Sequence, residues 1–433
     1  MSYTNKLIDF ISASPTCFHA VGEIAGMLDD AGFTKLNEAD GWTLEKGGKY
    51  YVTRNSSSVI AFRVPTGDAR SFMICSAHSD SPCFKIKRLP EMDGGKYVKI
   101  NTERYGGMLY STWLDRPLSV AGRVMVKDGG KIKAKLVSPD EDILLIPNVA
   151  IHMNRAANDG YKYNPAVDLV PLYSSGDGKG TFLGKIAEYA GAGEKDVIDF
   201  DLFLVNRQKG YTWGHDGEYF SAPRIDDLQC AYSAVTAMIE SDKDCSSFPV
   251  SAVFDNEEVG SLTKQGADST FLHDVLSRIC SSLYGTDALP RMLASGMMLS
   301  ADNAHAVHPN HPEFADPTHK PYMNGGVVIK YNANQKYTTD AVSGALFASI
   351  CEKAGVPVQY FANRSDIAGG STLGNISNAH VSLNTVDIGC AQLAMHSAFE
   401  TAGTKDTDYM ISAMKAFFEA EICASSDGGY EIK

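Results

Sequence analysis

Residues 4–33 carry apolar side chains at helical spacing, first Leu7, Ile8 and Ile11, then Val21, Ile24, Ala25 and Leu28. The spacing predicts two helices, parted at Ser14-Pro15 and closed by Gly32. Residues 50–53, 58–64 and 71–75 are short β-branched or aromatic runs separated by Asn-Ser and Pro-Thr-Gly-Asp, which predicts strands joined by turns. From about 87 to 218 the texture changes to short alternating runs. Among them 123–127 and 131–137, joined through Asp128-Gly129-Gly130, form a predicted hairpin, so this region reads as an inserted, mostly β, domain. After about 219 helix and strand patterns alternate: 228–240 helix, 250–254 strand, 268–283 helix and 297–300 strand. The alternation continues with 339–354 as helix, 358–362 and 381–388 as strands, and 391–402 as helix. Such alternation predicts an α/β sandwich with helices on both faces of a sheet.

Composition narrows the function more than the fold. The chain has 433 residues, 44% hydrophobic, enough for two or three domains and a large core without disulfide or metal staples. Its 39 Lys and Arg against 52 Asp and Glu leave a net charge of −13, with no basic run. Binding a nucleic-acid backbone needs clustered cations to displace counterions, so no nucleic-acid partner is expected. No stretch approaches the roughly 18 apolar residues that span a bilayer, and the first residues lack the apolar core of a signal peptide. The nine cysteines include no C-x-x-C pair and read as reduced core thiols, so the expected location is the cytoplasm.

The candidate chemistry recurs just after predicted strands, where ligands sit in open α/β sheets. His78 and Asp80 form an H-x-D pair after 71–75, in which His78 can bind a metal and Asp80 can hold its ring. Alone, the pair reads more readily as an ordinary strand-end turn with hydrogen-bonded polar residues. The strand before Asp255 empties into Glu257-Glu258, adjacent carboxylates that can serve as general base and ligand. Asp302 follows 297–300 and leads into His305, His308 and His311, whose spacing matches no zinc-finger or H-E-x-x-H pattern. Asp302 is therefore preferred as the ligand. Asp226 enters a helix, where an N-cap is the competing role, and His396 falls in the predicted helix 391–402. Together His78, Asp226, Glu258, Asp302 and His396 supply two imidazoles and three carboxylates, the donor set of a two-metal hydrolase with Glu257 taking a proton from water. No G-x-S-x-G or activated cysteine competes with this reading, and the glycine-rich turn 369–374 reads as a pocket wall.

Six ordered motifs carry a resemblance. SAHSDSP (76–82), APRIDDL (222–228), FDNEEVGS (254–261), SADNAHAVHPN (300–310), SDIAGGSTLG (365–374) and QLAMHS (392–397) are similar to motifs of the aspartyl aminopeptidases, the family that includes vacuolar aminopeptidase I. The resemblance implies a three-layer α/β sandwich metallopeptidase domain of the phosphorylase/hydrolase-like kind, discontinuous over 1–86 and 219–433. Residues 87–218 would form the inserted β-rich dimerisation or lid domain. It implies two Zn2+ per subunit, replaceable by Co2+ or Mn2+, and removal of N-terminal residues, preferably Asp or Glu, from peptides with a free amino end. By the same resemblance Asp226 bridges the ions, His78 and Asp302 complete one site, Glu258 and His396 the other, and Glu257 is the general base. Asp227, where relatives often carry Asn, leaves the choice of bridge between 226 and 227 to the resemblance. His152 matches a histidine that reaches a neighbouring subunit's site, and Lys330 and Tyr337 match substrate-contacting positions. Assembly as a homododecamer built from dimers is implied. Rival readings are a metal-dependent N-acyl amino acid deacylase and a non-catalytic metal-binding assembly protein.

Overall fold

The computed structural model describes residues 2–433. Its largest sheet has nine strands, in the order Thr34–Leu36, Lys49–Arg54, Ser58–Arg63, Ser247–Phe254, Ser71–His78, Met297–Ala301, Asn384–Gly389, Val327–Tyr331 and Val358–Ala362. The four central strands, Ser247–Phe254 through Asn384–Gly389, run parallel to their neighbours among themselves. All four carboxyl ends therefore open on one edge of the sheet, and the loops leaving that edge carry the candidate chemistry.

Parallel strands covered on both faces must be apolar throughout, and Ser71–His78 and Ser247–Phe254 are buried at every position. Met73, Cys75 and Ala77 face one way, into a core formed with the helices Tyr3–Ala13, Cys17–Asp30, Ile225–Glu240, Ala341–Lys353 and Asp406–Phe418. Phe72 and Ile74 face the other way, onto the helices Phe271–Leu283 and Ala288–Ala294. The expected α/β sandwich with helices on both faces is the observed one.

A seven-stranded antiparallel unit is built from residues 83–205. Val197–Val205 pairs with both Cys83–Asp93 and Pro117–Asp128, so the unit closes on itself around its own core of Phe84, Leu118, Val120 and Leu202. Pro117–Asp128 and Lys131–Val137 make the expected hairpin. Tyr211–Trp213, expected inside the insertion, pairs instead with Tyr219–Ala222 in a five-stranded sheet completed by Glu400–Gly403, Ala391–Leu393 and Ala304–His305.

One element expected from periodicity is corrected. Residues 391–402 form no helix: Ala391–Leu393 and Glu400–Gly403 are antiparallel strands of that small sheet. Between them Ala394 and His396 take left-handed backbone conformations, φ 56° and 66°, incompatible with a continuing helix. None of the nine cysteines is in a disulfide. Among the described residues, no helix is long and apolar enough to cross a membrane.

Candidate metal centre

His78 is the last residue of its strand, and its ring Nδ1 lies 3.1 Å from the Asp80 carbonyl oxygen. A proton on Nδ1 donates to that carbonyl and leaves the Nε2 lone pair free. Nε2 is 3.5 Å from Asp226 Oδ1 and 3.9 Å from Asp302 Oδ1. His396 repeats the device from a different turn. Its Nδ1 is 2.7 Å from the Gly107 carbonyl, while Nε2 is 3.3 Å from Asp226 Oδ2 and 3.4 Å from Glu258 Oε1. The two oxygens of Asp226 thus face different imidazoles.

The backbone around Asp226 is held from two sides. Its N–H donates to Glu400 Oε2 at 3.0 Å, and its carbonyl accepts from the Ser81 hydroxyl at 2.8 Å. Glu400 Oε1 also accepts the His396 N–H at 2.7 Å, so one buried carboxylate fixes both residues. Asp80 performs the same service for the glutamates, accepting the Glu257 N–H at 3.1 Å and the Glu258 N–H at 3.2 Å.

Three groups of donor atoms lie within 4.8 Å of one another: His78 with Asp226, Asp227 and Asp302; His78 with Glu257 and Glu258; and Asp226 with Glu258 and His396. Asp226 Oδ1 and Asp227 Oδ1 are buried without a hydrogen-bond partner. Donors about 2.0–2.1 Å from one tetrahedral ion stand about 3.3 Å apart, close to the separations around Asp226. Imidazole nitrogens and carboxylate oxygens are zinc donors, and the unpartnered oxygens are ones a cation would satisfy. The residues present therefore fit zinc.

A family model described as aminopeptidase I zinc metalloprotease (M18) matches residues 10–418. The chain belongs to this M18 family. A probable M18 family aminopeptidase 2 from Clostridium novyi is 46% identical over 428 residues, 96% of this chain and 99% of that one. Among solved structures, Ape4 in a cryo-EM complex with Nbr1 is 34% identical with a TM-score of 0.93, over 96% of this chain and 85% of that one. The S. cerevisiae mApe1 dodecamer is 31% identical with a TM-score of 0.85, over 96% of both chains. This M18 protein is accordingly a metallo-aminopeptidase of a zinc-dependent family.

Electrostatics at the M18 centre follow from crowding of like charges. Burial opposes charge on His396, yet Asp226 and Glu258 beside it push its pKa up to about 10. Burial likewise opposes charge on His78, but Asp227, Asp226, Asp302 and Asp80 hold it well above the ordinary histidine value. Burial would raise Asp226, but the two imidazoles outweigh it and keep this carboxyl well below the usual range. Glu257 has no such pair of cations. Burial, with Asp302, Asp80 and Asp226 nearby, raises it to about 8 against the pull of His78. Burial, then Asp226, raises Glu258 well above its ordinary value.

A cavity of about 450 Å3 opens in front of the cluster and is lined by Asp226, Glu257, Glu258, Asp302 and His396. Lys330 and Tyr337 line it too, as does the expected pocket wall at Gly370, Ser371 and Thr372. Lys330 is buried, and its Nζ donates to the Asp302 carbonyl at 2.7 Å and the Asn303 carbonyl at 3.3 Å. His308 and His311 are exposed and lie outside the donor groups, whereas His305 reaches the cavity wall. His152 is exposed in the loop between Leu144–Leu145 and Leu172–Ser175, and it is not brought to this cavity within one chain. Sequence reasoning did not single out Glu400 or the Gly107 carbonyl. Neither belongs to a local motif, since each acts on a residue brought near only by folding.

Proposed function

We propose that this M18 aminopeptidase uses two zinc ions and preferentially removes N-terminal Asp or Glu from peptides with a free amino end. The observation that carries the reading is Asp226, each of whose oxygens faces a different imidazole, as a bridging carboxylate requires. His78 and Asp302 would hold one ion, His396 and Glu258 the other, with Asp227 behind His78 accepting its N–H at 3.1 Å. Bound there, such ions supply positive charge that polarises the scissile carbonyl and acidifies a water.

The chain's own groups do the rest. Glu257 faces the cavity as the general base: its carboxylate takes a proton from the attacking water and returns it to the departing amide nitrogen. Asp80 holds the Glu257 backbone N–H and so orients that carboxylate. Lys330 lines the cavity with its Nζ 3.7 Å from Asp302 Oδ2, and we take its positive charge there as support for an acidic side-chain preference. His152 would stabilise the developing oxyanion in a neighbouring copy, from a loop that also exposes Val149, Ile151 and Met153. That assignment requires self-association, and we take the chain to form a homododecamer of dimers, as the solved mApe1 is named a dodecamer. Nine cysteines without disulfides fit a reducing cytoplasm.

The test is a panel of dipeptides beginning with Asp, Glu, Leu or Lys, free and acetylated, given to Zn2+- or Co2+-loaded protein. Release from free Asp and Glu peptides is expected. Equal release of Leu or Lys removes the acidic preference, cleavage of acetylated compounds alone makes the protein a deacylase, and silence with two bound ions makes it an assembly protein. Glu257→Gln should retain both ions while kcat falls at least about 100-fold. Wild-type turnover by that variant would remove Glu257 from the mechanism.

A further inference from the structure

Residues 105–107 end the strand Tyr97–Tyr105 of the seven-stranded unit, and they touch the metal centre at three successive points. The Tyr105 hydroxyl donates to Asp80 Oδ2 at 2.7 Å and accepts from Asn256 Nδ2 at 2.7 Å. Asp80 is the carboxylate that holds the Glu257 and Glu258 N–H groups. Gly106, at φ 75°, lies against Glu258: a Cβ added there would stand 3.1 Å from Glu258 Cβ and 3.3 Å from its carbonyl oxygen. The Gly107 carbonyl accepts from His396 Nδ1, and the Leu109 N–H donates to the His396 carbonyl at 3.0 Å.

Supports on the other side of the centre come from the nine-stranded sheet and the loops at its strand ends. His78 Nδ1 meets the Asp80 carbonyl two residues on, and Asp302 is held by Lys330 of Val327–Tyr331. The two halves of the donor cluster therefore rest largely on different parts of the fold and share Asp80. An outer partner on the far ring nitrogen fixes a histidine's tautomer and direction, and removing such partners weakens metal binding or turnover about 10- to 100-fold.

We propose that residues 105–107 are a positioning segment for the His396 and Glu258 side of the centre, with Tyr105 acting through Asp80 on the general-base turn. This rests on the two-ion reading above. The seven-stranded unit then bears directly on how firmly the ion at His396 and Glu258 is held, and reaches the His78 side only through Asp80, whose carbonyl meets His78 Nδ1. Glycine suits position 106 because its left-handed backbone strains a side chain and a Cβ there would press Glu258 aside by a few tenths of an ångström.

The experiment titrates Co2+ into metal-stripped full-length protein, by calorimetry and visible absorption, for wild type, Gly106→Ala, Tyr105→Phe and the control Ile132→Ala on an exposed strand of the same unit. Wild type and the control should take two ions per chain. Gly106→Ala should take one ion at wild-type affinity and the second at least about tenfold more weakly. Tyr105→Phe, which preserves the ring packing, should take both ions, with kcat lowered about tenfold and KM within about twofold. Two ions at unchanged affinity in Gly106→Ala, or unchanged kcat in Tyr105→Phe, overturns this proposal alone. One ion in the wild type overturns the two-ion reading and this proposal with it. If Gly106→Ala does not fold, the kcat and KM of Tyr105→Phe decide the matter.

Discussion

Stripping the metal should make the protein's stability fall as pH rises, and the fall can be sized from the site. Five carboxylates, Asp226, Asp227, Glu257, Glu258 and Asp302, share the cluster with two imidazoles. Without divalent cations, burial and mutual repulsion raise Glu257 from 4.5 to about 8. A carboxyl raised on folding contributes stability that is whole below about pH 4.5 and is lost as pH climbs through the folded value. The imidazoles act in the same direction: the stability His396 contributes below pH 6.5 is lost as pH rises towards about 10. Glu257 alone corresponds to ~5 kcal/mol between its two values. For a chain of 433 residues the unfolding entropy is ~0.9 kcal/mol per kelvin, so that loss lowers Tm by about 5 °C. Metal binding takes the ionised carboxylates and neutral imidazoles, so loaded protein should be spared this decline. Thermal unfolding of chelator-treated and Zn2+-loaded protein, followed from about pH 5 to about pH 8.5, should show a Tm gap widening by roughly 5 °C or more. A gap that stays constant or narrows with pH refutes the reasoning.

Further outcomes are expected from single substitutions. Asp226→Asn removes the carboxylate that faces both imidazoles, so both ions should bind at least about tenfold more weakly in calorimetric titration, not one of them. Lys330→Met loses the donor that holds the Asp302 and Asn303 carbonyls as well as a cavity charge. Its kcat/KM should fall on Asp and Leu peptides alike, and about tenfold further on Asp. Gly122→Ala drives a methyl group into the Asp201 carbonyl across the pairing of Pro117–Asp128 with Val197–Val205, and denaturant unfolding should report a loss above about 2 kcal/mol.

The strand ends were legible because their signal is local. A run of apolar residues followed at once by His78, by Glu257-Glu258 or by Asp302 marks both an element and what it presents. His396 was legible as a candidate donor and illegible as structure. Ala391, Ala394, Met395 and Ala398 imitate helical spacing, but pairing with Glu400–Gly403 and two left-handed residues decide the backbone. Closure of the seven-stranded unit was beyond pattern reading, since Val197–Val205 meets Pro117–Asp128 across a long separation in sequence. Glu400 escaped for the same reason. Its worth lies in two backbone N–H groups, those of Asp226 and His396, and one of them belongs to a distant part of the chain.

The donor cluster differs from ordinary buried polarity. A buried hydrogen-bond network satisfies each oxygen with an N–H or O–H, as Asp80 and Glu400 are satisfied here. Asp226 and Asp227 each keep one buried oxygen unpartnered, and these oxygens belong to a cluster of five carboxylates with only two imidazoles. Uncompensated, that arrangement costs several kcal/mol per charge. The fold nevertheless spends Asp80, Glu400 and two backbone carbonyls on aiming these side chains at one another instead of turning them apart. Supports that enforce repulsion make physical sense only if positive charge arrives between the donors, and divalent cations would supply it to carboxyls such as Glu257 and Glu258 that burial and crowding otherwise push towards the protonated form. The supports thus identify the cluster as preorganised for cations more firmly than the donors alone.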